Sequence, residues 1–155
     1  MSYEILRFLH ILGAMVLMGT GMGIAFFMLI SHRRGDAGQI AHVAGIVVLA
    51  DMLFTATAAV AQPITGYLLA RHSGWPLTEG WLGLSLLLYL LVGAFWLPVV
   101  WMQMRMRDLA LRASRQNAPL PPAYHRLFRL WFAFGVPAFT AMLGIIWLML
   151  TRPAL

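Results

Sequence analysis

Few residues in this chain carry chemistry, and most of them lie inside apolar sequence. Asp51 is a lone carboxylate within the long hydrophobic stretch LADMLFTATAAVAQPITG. A charge at the centre of a bilayer costs at least about 2.5 kcal/mol on insertion scales, so such a group faces the protein interior and is paired or protonated. It then acts either as a polar pin for the bundle or as a proton relay or ligand group. Thr20, Thr55 and Thr140 are candidate hydrogen-bond partners, and Arg129 is a candidate counter-ion. His10 is the histidine set most clearly inside an apolar run. An imidazole there ligates haem iron or a metal, or hydrogen-bonds a neighbouring helix.

Depth restricts the partners of His10. His10 and His42 fall near opposite membrane faces, about 20 Å apart at 1.5 Å per helical residue, so they cannot share one iron. A b-type haem on His10 takes its second ligand from the same end of the bundle, with His72, Met142 and Met149 as candidates, or takes none. His32, His42 and His125 share the other edge without the spacing of a metal site. The chain has eleven methionines, and Met15, Met18 and Met22 occupy one sector of the first helix. Thioethers favour Cu(I), but apolar helices use methionine freely as adaptable filler, and packing is the simpler reading. No Ser-His-Asp set, phosphate loop, HExxH helix or carboxylate pair is present. Cysteine is absent, which excludes disulfides, thiolate-held clusters and covalent haem.

The elements that position these residues follow from composition. Of 155 residues, 61% are hydrophobic and 10% charged, against about 25% charged in a soluble domain. A core this small cannot bury so much apolar surface, so lipid must solvate it. Ile5–Ile30, Ile40–Ala70, Gly80–Met104 and Leu127–Leu150 each exceed the roughly 20 residues needed to cross the hydrocarbon layer. They carry no charge apart from Arg7, Asp51 and Arg129. Strand-like alternation is missing, so an all-α bundle of four antiparallel spans is expected, up-down-up-down, as one domain over 1–155. The first stretch lacks a basic leader and a small-residue cleavage site, and reads as a retained helix.

The basic balance is all arginine. Arg33, Arg34, Arg105, Arg107, Arg112, Arg115, Arg126 and Arg129 lie in or beside the first and third connections; Arg7, Arg71 and Arg152 lie at the other side. That asymmetry places the basic connections, including 105–126, in the cytoplasm and both termini outside. The arginines then meet anionic head groups rather than nucleic acid. Arg105–Arg126 starts as a helical extension and stops at Pro119–Leu120–Pro121–Pro122, and Arg71–Glu79 forms a turn through Gly74 and Pro76. Pro63, Pro98 and Pro137 kink three spans. The Gly19–Gly23 pair and Ala56, Ala58, Ala59 and Ala61 suit close packing of the first span on the second, with a homodimer seam as the alternative. The six tryptophans read mainly as interfacial belts.

The stretches Leu49–Gly66, Trp96–Ala110 (WLPVVWMQMRMRDLA) and Pro119–Phe139 (PLPPAYHRLFRLWFAFGVPAF) resemble the bacterial integral membrane family known as domain of unknown function 2269. That resemblance runs along essentially the whole chain and implies a multi-pass protein of the bacterial cytoplasmic membrane. FLHILGAMVLMGTG (Phe8–Gly21) is similar to the first helix of the HemJ and CopD-like four-helix group, in which a first-helix histidine is associated with b-haem; His10 stands at that position. HemJ-type oxidase chemistry relies on a membrane lysine, and this chain has none.

Three readings result. The first is a haem- or porphyrin-binding membrane protein using His10, in redox or haem handling, as an accessory to a respiratory complex. The second is a non-enzymatic scaffold or assembly subunit with a membrane partner. The third is a proton-coupled small-molecule transporter using Asp51.

Overall fold

A computed structural model describes residues 2–78 and 80–154 and contains five α-helices and one π-helical turn. Helix α1 spans Tyr3–Arg34 and α2 spans Ala37–Ala50; the π turn is Asp51–Thr55 and α3 is Ala56–Ser73. Helix α4 spans Gly80–Arg115 and α5 spans Pro122–Thr151. The α2, π turn and α3 segments form one continuous crossing, so four helices are long and apolar enough to span a membrane. The expected all-α four-helix bundle is observed, and its helices outrun the expected apolar stretches at nearly every end.

Local chemistry sets the ends. Gly35 takes a left-handed backbone, φ 73°, which closes α1, and Asp36 then accepts from the Gln39 amide at 2.6 Å to open α2. A glycine stop followed at once by an acidic cap turns the chain within two residues. Gly74 closes α3 in the same way at φ 69°; Glu79, the last residue of the expected turn there, lies outside the described residues. The arginine-rich connection is mostly helix. Helix α4 continues to Arg115, and α5 begins with Pro122 at its first turn, where a missing N–H costs nothing. Only residues 116–121 link them.

Packing divides the molecule along the membrane normal. At the arginine-rich end, Ile24 and Met28 of α1, Ile40, Ala44 and Val47 of α2, Met102 and Met106 of α4, and Tyr124, Phe128 and Trp131 of α5 form one buried core. His32 stacks on Phe128 with ring centroids 3.6 Å apart, tying α1 to α5 there. Towards the end that holds both termini the helices separate into pairs. Helix α4 lies on α5, and α3 packs extensively only on α1.

Among the described residues, one hydrogen bond crosses the gap. Pro63 has no N–H, so the Ala59 carbonyl one turn earlier loses its helical donor. The Tyr89 hydroxyl of α4 donates to that carbonyl. A neighbouring helix thus satisfies the backbone group that the proline frees.

The glycine seam differs from expectation. Gly19, Gly21 and Gly23 have open space where a side chain would stand, whereas Gly13 and Gly66 sit against Gln62 and His10. Lipid gives small residues no reason to be covered unless a helix docks on them, and α3 docks one to three turns nearer the termini.

Candidate functional site

Asp51 opens the π turn and is 3% exposed. The Ala56 amide donates to its carbonyl, an i→i+5 bond that marks a widened turn. Such turns insert one residue into a helix and occur often at functional sites, because they re-aim side chains that a regular helix would spread over other faces. Here the turn puts Asp51 and Thr55, both buried, on the inner side and leaves Met52, Leu53 and Phe54 exposed to lipid.

Three side chains surround the carboxylate. The Trp96 indole donates to Oδ1 at 3.4 Å, and Thr55 and Gln103 face the group as well. Gln103 is 1% exposed and lies two turns beyond Trp96 on α4. The second carboxylate oxygen Oδ2, the Thr55 hydroxyl and both polar atoms of the Gln103 amide are buried without a closed hydrogen bond. The Trp131 Nε1 of α5 is likewise unpaired. Buried polar atoms are normally satisfied, so several unsatisfied ones beside a single carboxylate make this region a candidate site.

The expected counter-ion does not serve. Arg129 is exposed on α5, and the ion pair found among the described residues joins Arg107 to Asp108 at 2.9 Å. Thr140 spends its hydroxyl on its own Val136 carbonyl. Thr55 is the one anticipated hydroxyl that faces Asp51. Among the described residues, the carboxylate therefore has no ion-pair partner.

His10 occupies a separate place, between α1 and α3. Its Nδ1 lies 2.8 Å from the Thr65 hydroxyl, which itself donates to the Ala61 carbonyl at 2.9 Å. With its nitrogen towards His10, the Gln62 amide donates to the His10 carbonyl at 2.9 Å and lies 3.1 Å from Nδ1. Its oxygen then accepts from the Ala14 amide at 3.2 Å. A Cβ on Gly66 would come within 3.1 Å of the His10 ring, so the ring fits because that residue is glycine. The imidazole is interhelical glue on one side, and Nε2 is left without a hydrogen-bond partner among the described residues.

The anticipated second ligands are not assembled with it. His72 lies beside Tyr3, ring centroids 5.7 Å apart, and lines a cavity of about 450 Å³ with Leu6, Leu68 and Arg71. Seven residues separate it from Thr65, about 10 Å along the helix. Met142 and Met149 are half-buried on α5, which packs along α4 and reaches α1 through His32 at the other end. Of the other histidines, His32 and His125 approach at 5.8 Å between ring centroids, and His42 is exposed on α2.

Sequence reasoning missed Gln62, Gln103 and Tyr89, and assigned Trp96 and Trp131 to the interfacial belt. Their signal was present: each glutamine is a lone amide in apolar sequence, and Trp96 lies sixteen residues into α4, far from its start. Trp75 and Trp81 do form an edge-to-face pair at the terminal end, with Arg152 over the Trp75 ring at 4.6 Å.

No curated protein and no solved structure matches the chain. The family model described as a predicted integral membrane protein, DUF2269, matches residues 4–153, and with four apolar crossings to go with that match the chain belongs to this family of multi-pass membrane proteins.

Proposed function

We propose that the protein moves a small solute across the membrane in exchange for a proton, with Asp51 as the group that binds and releases the charge. One observation carries this reading: a buried carboxylate with no cationic partner sits on a π turn at the level where the closed half of the bundle meets the open half. Charged groups inside membranes mark ion and proton paths, because their insertion cost is otherwise selected against. The packed core below Asp51 closes access from the arginine-rich end, and above it the helices pair separately, so parting the two pairs would expose Asp51 to the terminal end. A hinge at the π turn and at Pro63 would exchange the two arrangements. In this reading the arginine-rich connections face the cytoplasm and both termini lie outside the cytoplasmic membrane of a bacterium.

The test uses purified protein in liposomes with an entrapped pH dye and an imposed pH gradient. Panels of small organic cations and neutral solutes are added, and lumenal pH is followed. Solute-dependent proton movement that is lost in Asp51→Asn and kept in Arg129→Gln is expected. Equal movement in Asp51→Asn and the unaltered protein would remove the reading. Orientation is checked separately, because the chain has no cysteine. Ser2→Cys should react with an impermeant thiol reagent in intact cells, and Ala118→Cys only after permeabilisation.

The second reading is b-type haem on His10. It is supported by the way Thr65 and Gln62 hold Nδ1 and leave Nε2 free, the arrangement by which histidine ligands are oriented for iron. With His72, Met142 and Met149 elsewhere, His10 would be the one protein ligand of such a haem. When bound, the group supplies one-electron redox chemistry. An absorption spectrum of the oxidised and reduced protein decides it: a Soret band lost in His10→Ala is expected, and colourless protein from haem-replete cells would end it.

A further inference from the structure

We propose that Asp51, Thr55 and Gln103 form a binding site for an alkali-metal cation. The inference rests on the reading of Asp51 as the charge-handling group and names what it handles besides the proton. Four buried polar atoms lack a hydrogen-bond partner here, Asp51 Oδ2, Thr55 Oγ1 and the Oε1 and Nε2 of Gln103, and three of them are oxygens. They come from the π turn and from α4, which pack around the same carboxylate. Asp51 and Gln103 are both more than nine-tenths buried, so water from the surface does not reach these atoms freely.

Charge balance selects the ligand. A carboxylate in hydrocarbon surroundings must be neutralised. Neither arginine in reach of the region does so: Arg107 is held by Asp108 at 2.9 Å, and Arg129 is exposed. A proton on Oδ2 also neutralises the carboxylate, so proton and cation compete for the same oxygen. With the Gln103 amide turned oxygen-inwards, a cation draws on all three oxygens, and carboxylate, amide and hydroxyl oxygens are the ligand set of hard cations. One carboxylate cancels one positive charge, whereas a divalent ion would leave the site with net charge inside the membrane. The ion is therefore monovalent. The Trp96 indole, which donates to Oδ1 at 3.4 Å, reports directly on the site.

The experiment titrates NaCl into the detergent-purified protein at constant ionic strength, with choline chloride as the replacement salt. Tryptophan fluorescence, thermal midpoint and equilibrium binding of radiolabelled Na⁺ are read together. Saturable binding and a raised midpoint with Na⁺ over choline are expected, with competition by protons as pH falls. Asp51→Asn should abolish binding. Gln103→Leu and Thr55→Val should each weaken it by about tenfold, the loss of one contact to a charge. Each variant is first checked for a single elution peak and an unchanged helical spectrum, and Asp51→Asn paired with Gln103→Leu guards against a fold artefact. No difference between Na⁺ and choline, or Na⁺ binding that survives Asp51→Asn, overturns the site. If Na⁺ does not bind but Asp51→Asn still abolishes solute-dependent proton movement, the cation site falls and the transport reading stands. If Na⁺ binds and Asp51→Asn leaves proton movement intact, the transport reading falls and the site stands.

Discussion

The second crossing is one helix made of two unlike halves. In α2, Ile40, Ala44 and Val47 are buried against α4, in a core that also takes in α1 and α5. In α3, the neighbour is α1, and the link to α4 is the Tyr89 hydroxyl on the Ala59 carbonyl. Between them stands the π turn with Asp51. The difference teaches that apolar content does not dictate burial in this molecule. Both halves are hydrophobic; α2 packs into a core between α1 and α4, and α3 packs on α1 alone, with one hydroxyl reaching it from α4. In a bilayer the hydrophobic effect does not favour helix against helix over helix against lipid, so specific contacts decide where helices meet.

That contrast is open to direct attack. The largest effect is expected in the packed half: Met106→Ala, at a residue 0% exposed, should lower stability by about 2–4 kcal/mol, whereas Leu90→Ala, 70% exposed, should be close to silent. Denaturation in mixed detergent measures both, and equal losses would refute the division into a packed and an open half. Next comes Tyr89→Phe, which strips the donor from the carbonyl that Pro63 frees. A loss of about 1 kcal/mol is expected. Spin labels on the terminal ends of α3 and α4 should show a broader distance distribution in this variant, and an unchanged one would mean that the hydroxyl does not hold the pairs together. Thr65→Val removes the hydroxyl beside His10 and should cost about 0.6 kcal/mol, the mean for interhelical hydrogen bonds in a membrane. The smallest effect belongs to Gly19→Ala, where nothing lies within reach of the added methyl. Stability within about 0.5 kcal/mol of the unaltered protein is expected. A large loss would show that another helix, from this chain or a second copy, covers that face.

Much of the architecture was legible from residue types alone, and the reasons are particular. Apolar content ended the first span at Ile30 and began the second at Ile40, whereas the Gly35 stop and the Asp36 cap carry α1 to Arg34 and open α2 at Ala37. Pro119–Leu120–Pro121–Pro122 marked a stop before the last span, but that span was expected from Leu127, whereas α5 starts at Pro122, in the first turn, where proline is well tolerated. The candidate site was half legible. Asp51 announces itself as the one carboxylate in an apolar span, and His10 as a histidine in another. Their partners did not, because Trp96 and Gln103 stand some fifty residues from Asp51, and Gln62 and Thr65 a similar distance from His10. The pairing of Asp51 with Arg129 was the natural guess from charge, and failed because α5 turns that arginine outwards.

What the sequence determined by itself was the number of crossings, their apolar centres and the side on which the arginines gather. Those properties depend on the local run of side chains against a layer about 30 Å thick, and no tertiary contact can override the cost of breaking them. The tertiary structure alone decided which face of each helix points inwards, and with it that Trp96 and Gln103 meet Asp51, that Tyr89 meets the carbonyl freed by Pro63, and that His10 is held by Thr65. A soluble helix shows its inner face as an apolar stripe. These helices are apolar all round, so the stripe is missing, and rotation is settled only when side chains distant in sequence come into contact.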